Sequence, residues 1–156
     1  NKVSEGRLSS ESKLEIRGML REVTEIESIG DSCYNLARTI NRKRSGGNDF
    51  TEKQYEHIHQ MMQLTSDALA QMIAVVEDEH HVVDVNKSFN IENEINNYRA
   101  QLKNQNVVDV NNKEYDYQMG VHYMDLIGEC EKLADYVVNV VEARTNVKEK
   151  KTSKNR

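Results

Sequence analysis

The 156-residue chain contains no proline. Proline lacks the N–H that a helical hydrogen bond needs, and its ring clashes with the preceding turn, so helices commonly stop at it. A chain without it, whose apolar residues recur three and four apart over long stretches, is expected to fold into few long helices joined by short turns. The β-branched and aromatic runs that mark strands are missing. Charged residues make up 30% and hydrophobic residues 37% of the chain, a mix that suits helices with one apolar face. No run approaches the length needed to cross a bilayer, and no signal peptide is visible. The length is that of one domain, able to bury a core without disulfides or metals. The expected fold class is all-α, an antiparallel up-and-down bundle of four long helices of the spectrin-like kind.

The periodicity places those helices at about 9–44, 51–79, 86–105 and 113–146, followed by a basic flexible tail over 147–156. In the first helix the apolar stripe is Ile16, Leu20, Val23, Gly30, Tyr34 and Ala37, with Met19, Ile26, Cys33 and Ile40 alongside. Ser12 and Glu15 are spaced as a capping box near its start, and Ser45-Gly46-Gly47-Asn48-Asp49 is a dense turn signal at its end. Thr51 or Asp49 caps the second helix. In the third, Phe89, Ile95, Tyr98 and Leu102 share a face. Asn104–Asn106 frays that helix, and Val107–Asn112 reads as a loop with weak strand character. The fourth helix carries the stripe Tyr123, Met124, Ile127, Ala134, Val138 and Val141.

Charge is uneven. The net charge is −5, yet the last residues, from Arg144 on, hold six Lys and Arg against Glu149 alone, which leaves a strongly acidic body. An acidic body argues against nucleic acid as a partner. The two cysteines, Cys33 and Cys130, have neither disulfide-framework nor CxxC spacing and read as buried free thiols. His57, His59, His80 and His81 lack the spacing of metal ligands and read as surface residues. His122 lies near the stripe of the fourth helix. No glycine-rich phosphate loop follows a strand.

One motif occurs twice. Glu25-Ile-Glu27-Ser-Ile-Gly-Asp31-Ser-Cys-Tyr-Asn35 aligns without gaps to Glu129-Cys-Glu131-Lys-Leu-Ala-Asp135-Tyr-Val-Val-Asn139, each position shifted by 104. Glu27, Asp31 and Asn35 are four apart and line one edge of their helix, as do Glu131, Asp135 and Asn139. Glu27 falls within the apolar stripe between Val23 and Gly30, and Glu131 falls between Ile127 and Ala134. A carboxylate in a buried stripe needs compensation. Three sources stay open at this point. A hard or borderline cation could sit between carboxylates of facing helices. Asn35, Asn139, Tyr34 or Arg99 could form a hydrogen-bond network around them. The glutamates could instead sit at the wet edge of a wide stripe.

These residues resemble the PhoU domain family, whose three-helix unit ends in a helix with a Glu-x-x-x-Asp signature. Glu27-Ser-Ile-Gly-Asp31-Ser-Cys-Tyr-Asn35-Leu-Ala37 resembles that signature closely, and the stretch from Glu131 to Val141 is a looser copy. The segment Ile91–Leu102, with its acidic residues and Arg99, resembles the middle helix of the unit. Ser28 and Lys132 stand where the family often has arginine, and Ser32 and Tyr136 where it often has histidine. The resemblance implies a PhoU-like bundle in which helices two to four form one complete unit and helix one is the last helix of a preceding unit. It implies that Glu27, Asp31, Glu131 and Asp135 are the metal ligands, for a divalent metal or iron, and that the domain is not an enzyme. It further implies a regulatory or accessory domain of a sodium-dependent phosphate transport protein of the sodium/phosphate cotransporter family. In that context the partner is the transmembrane transport domain of the same protein, on the cytoplasmic side of the plasma membrane. The start at Asn1 rather than Met fits an excised piece of a longer protein. An apolar strip left bare on helix one would favour a homodimer. Two other readings remain beside this one, a ferritin-like carboxylate bundle and a purely structural helical adaptor.

Overall fold

A computed structural model describes the backbone of residues 9–45 and 49–154 and the side chains of 9–43 and 49–145. It contains four helices: α1 (Ser10–Ser45), α2 (Glu52–Glu77), α3 (Asn86–Asn111) and α4 (Tyr117–Lys154). The all-α expectation holds, and no strand occurs among the described residues. The Gly46-Gly47-Asn48 part of the expected turn lies outside them.

Local chemistry sets most helix ends. Ser9, rather than Ser12, caps α1: its hydroxyl accepts the Ser12 N–H at 3.1 Å. At α2 the Thr51 hydroxyl accepts the Gln54 N–H at 3.1 Å while the Gln54 side chain accepts the Thr51 N–H at 3.0 Å, so two N–H groups that the helix leaves orphaned are satisfied reciprocally. Asp78 organises the link to α3, its carboxylate accepting the N–H groups of His80, Val82 and Val83. α3 ends in a left-handed Lys113, φ 58°. Lys113 N–H bonds the Val110 carbonyl and Glu114 N–H bonds the Asp109 carbonyl, the paired closure of a Schellman motif.

Two helices run further than their sequences suggest. α3 continues through the Val107–Val110 run because that segment docks on the start of α4. A Cβ built at Gly120 would come within 2.9 Å of Val110 Cγ2 and 3.0 Å of Asn106 Oδ1, and Tyr115 donates to Asn106 at 2.6 Å. Tertiary contact here overrides the weak helix propensity of valine. α4 continues through Lys154, so the basic stretch expected to be a flexible tail is helical to that point. Lysine and arginine are good helix formers and interact favourably with a helix C-terminus.

α2, α3 and α4 pack against one another as a three-helix bundle, and α1 packs on α4 alone among the described helices. α4 is therefore the hub. Tyr123, Leu126, Ile127, Cys130, Leu133, Ala134, Val137, Val140 and Val141 are all at most 2% exposed, so α4 is enclosed around most of its girth. α3 contributes a narrow seam at seven-residue spacing, Ser88, Ile95 and Leu102. The antiparallel order holds for α1 on α4, as the pairs Arg21–Glu142 and Ser32–Glu129 show.

α1 corrects the sequence reading. The stripe running from Ile16 to Ala37 faces outward: Ile16, Met19, Leu20, Val23, Ile26 and Tyr34 are all exposed, and so are Gly30, Cys33 and Ala37. The buried side is the other one, with Glu22, Ile29, Ser32 and Leu36. The physical reason is that α1 has one neighbour among the described helices, and it meets α4 with Ile29 and Leu36 beside Glu22 and Ser32. Cys33 is consequently exposed, while Cys130 is the buried thiol, its pKa pushed up to about 11 by burial.

Candidate functional site

The repeated motif does two different jobs, one on each edge. The first glutamate of each copy, with Asn139 and Ser32, builds the seam between α1 and α4. Asn139 of α4 donates to Glu25 of α1 at 3.2 Å. On the facing side, Ser32 of α1 donates to Glu129 of α4 at 2.5 Å. The two acceptors, Glu25 and Glu129, are equivalent positions of the repeat, while the donors are not. Ion pairs flank them: Arg21 with Glu142 at 3.5 Å and Arg144 with Glu22 at 3.6 Å. Arg144 also donates to the Val76 carbonyl at 2.8 Å, which ties the end of α2 into the same seam. Of the donors expected around the two stripe glutamates, Asn139 serves Glu25 instead and Arg99 serves Glu131, while Glu27 is exposed.

The second glutamate and the aspartate occupy the other edge. On α4 that edge faces α3. Glu131 pairs with Arg99 Nε at 3.2 Å. Asp135 meets Glu92 of α3. Burial pushes the Glu92 carboxyl above its ordinary range, and the charge of Asp135, a side-chain hydrogen bond to it, and the charges of Glu142 and Glu131 push it the same way. Glu92 therefore holds a proton more tightly than a free glutamate. Exchange of that proton would alter the charge at the α3–α4 contact.

On α1 the same edge faces no other helix. Glu27 and Asp31 are exposed. The four carboxylates Glu27, Asp31, Glu131 and Asp135 thus do not come together as one ligand set. Among the described residues no group of three or more histidine, cysteine, aspartate and glutamate side chains could hold a metal ion. With Arg99 already balancing Glu131, the arrangement does not fit a multi-carboxylate metal cluster.

Glu92 is the functional candidate that the sequence concealed. It reads as one of several acidic residues on the polar side of α3, and only its apposition to Asp135 singles it out. The histidines divide. His59, His80 and His81 are exposed, as expected of surface residues. His57 is partly buried, with Nδ1 3.0 Å from the Tyr123 hydroxyl, and burial followed by the charge of Lys53 lowers its pKa. Tyr123 is pushed well above the usual tyrosine range, burial being the main cause. His57, Tyr123, Tyr115 and Asn106 line a polar cavity of about 240 Å³ between α2, α3 and α4. His122 lines a different cavity, beside Thr39, Lys43 and Asp125.

With this geometry in place, comparison with known families gives one match: the PhoU domain, over residues 58–143. The matched stretch exceeds half the chain and runs through α2, α3 and most of α4, the three helices that pack as one bundle. No curated protein and no solved structure matches the chain.

Proposed function

This chain belongs to the PhoU domain family, and from that premise we propose that it is a phosphate-related regulatory helical domain that modulates a sodium-dependent phosphate transporter of the sodium/phosphate cotransporter family by docking on its membrane part. The observation that carries this reading is the family match through most of the three-helix bundle of α2, α3 and α4. No helix among the described residues is long and apolar enough to cross a membrane. In this reading the domain has no catalytic residues. The acidic α3–α4 edge supplies a surface for contact, and the four-carboxylate metal role is not part of the proposal, because Glu27 and Asp31 do not meet Glu131 and Asp135.

The test is phosphate uptake by cells producing the full-length membrane protein with and without residues 1–156, across phosphate concentrations. The expected result is a changed response of uptake to phosphate, with membrane insertion retained. Identical uptake curves for the two proteins would overturn the proposal. A metal assay on the same material adds a second measurement. Stoichiometric iron, zinc or manganese that disappears in a Glu92→Gln/Asp135→Asn variant would restore a metal role at that edge.

A further inference from the structure

The bare face of α1 has a counterpart that says what kind of partner it is built for. Positions on α4 that meet α2 or α3 are Gly120 against Val110, Tyr123 against His57, Glu131 against Arg99 and Asp135 against Glu92. Shifted by the repeat, they become Ile16, Met19, Glu27 and Asp31 of α1, all exposed. The repeat thus gives α1 a helix-binding face with no helix on it. Ile16 is 41% exposed, Met19 57%, Leu20 62%, Val23 54% and Ile26 45%. Five large side chains half bare in one strip are on the order of a few hundred Å² of apolar surface, the size that marks an interaction site.

The charges along the strip decide between occupants. On a helical projection Lys13, Arg17, Glu27 and Asp31 fall on one edge of the apolar strip. The basic pair lies towards the N-terminus and the acidic pair towards the C-terminus. Arg17 and Glu27 are symmetric about the level of residue 22, and so are Lys13 and Asp31. The apolar strip, from Ile16 to Ile26, is centred at nearly the same level. In an antiparallel helix pair related by a twofold axis the same edges meet. Arg17 of one copy then reaches Glu27 of the other, and Lys13 reaches Asp31, twice over, around an apolar centre. Glu27 would gain the partner that its equivalent Glu131 has in Arg99. None of these four residues forms an ion pair within the chain's described residues.

We infer that α1 is a homodimerisation helix, packing antiparallel on α1 of a second copy about the level of residue 22. The inference stands apart from the transport reading. The interface is small by the standard of stable complexes, so the dimer should dissociate in the micromolar range.

Analytical ultracentrifugation of the 156-residue chain over that range tests it. The expected result is a reversible monomer–dimer equilibrium that Val23→Glu weakens at least tenfold, with the helical circular-dichroism signal unchanged. Arg17→Glu should weaken it as well, by placing four carboxylates around the axis, and Arg17→Glu combined with Glu27→Arg should restore it. Register is read by disulfide trapping in a Cys33→Ser background: a mixture of Arg17→Cys and Glu27→Cys chains should cross-link as heterodimers, and Arg17→Cys alone should not. A monomer at every concentration overturns the inference and gives the face to another segment or another protein. A dimer indifferent to Val23→Glu, or one that the charge swap fails to restore, overturns it too.

Discussion

α1 and α4 carry the same motif in the same register and have opposite surroundings. α4 is enclosed by three helices, and its motif is fully engaged: Glu129 with Ser32, Glu131 with Arg99, Asp135 with Glu92, Asn139 with Glu25. α1 meets one helix, and only the half of its motif that faces α4 is engaged. The difference shows that the motif is a two-sided device. One side joins the two motif-bearing helices to each other, and the other joins α4 to α3. On α1, where no other described helix covers it, the second side stays bare.

The comparison can be broken most directly at equivalent apolar positions. Ile127 is fully buried and Val23, its counterpart, is 54% exposed. Ile127→Ala is expected to lower stability by about 2–5 kcal/mol, whereas Val23→Ala should change it by no more than about 0.5 kcal/mol. Urea denaturation at dilute concentration, where self-association contributes nothing, measures both. Comparable losses would mean that α1 is enclosed after all.

Next in size is a contrast between two helical glycines. An alanine at Gly120 would push its Cβ to 2.9 Å from Val110 and 3.0 Å from Asn106, so Gly120→Ala should destabilise by about 1–3 kcal/mol through overpacking. At Gly30 nothing lies within 4 Å of such a Cβ, and Gly30→Ala should stabilise by about 0.5–1 kcal/mol through helix propensity. Opposite signs in the same thermal melt are the expected outcome.

The seam itself is tested at Ser32, which is 2% exposed and donates to Glu129. Ser32→Ala leaves a part-buried carboxylate short of a donor and should lower stability by about 1 kcal/mol. A loss confined to α1, seen as faster amide exchange there than in α2 and α3, would show that α1 detaches before the three-helix bundle opens.

The smallest effect concerns the acidic edge and depends on pH. The Glu92 pKa is raised in the folded state, so the folded protein binds its proton more tightly than the unfolded chain does. Stability from this source is present below the ordinary carboxylate pKa and is lost as pH rises through the raised one. Glu92→Gln removes that dependence. The variant should be slightly more stable than the parent at neutral pH, by up to about 0.5 kcal/mol, with the gap closing under acid conditions. A gap independent of pH would mean that the fold does not raise the Glu92 pKa.

Much of this architecture was legible in the residues. The missing prolines and the 3.6-residue periodicity pointed to four long helices. Thr51 announced the start of α2, and the shift of 104 marked α1 and α4 as equivalent. The family resemblance was legible as well, because it rests on a local signature. Less legible was the extent of α3. A Val-Val-Asp-Val run has weak helix propensity, and it is helical because Val110 seats on Gly120 of a helix that follows a turn. Glu92 was visible as a residue but not as a site, since nothing local distinguishes it from Glu94.

The sequence by itself determined the all-α class, the number of helices and the doubled motif, because these depend on interactions within a turn or two of the chain. Only the tertiary structure decided which face of α1 is buried. An apolar stripe predicts that a face wants cover, and burial requires a neighbour to provide it. Among the described helices α4 is the one neighbour α1 has, and it takes the side of Glu22, Ser32 and Leu36. For the same reason the Glu-x-x-x-Asp pairs could not be sorted from sequence into one engaged by α3 and one facing outward. Their local chemistry is the same, and the helices around them differ.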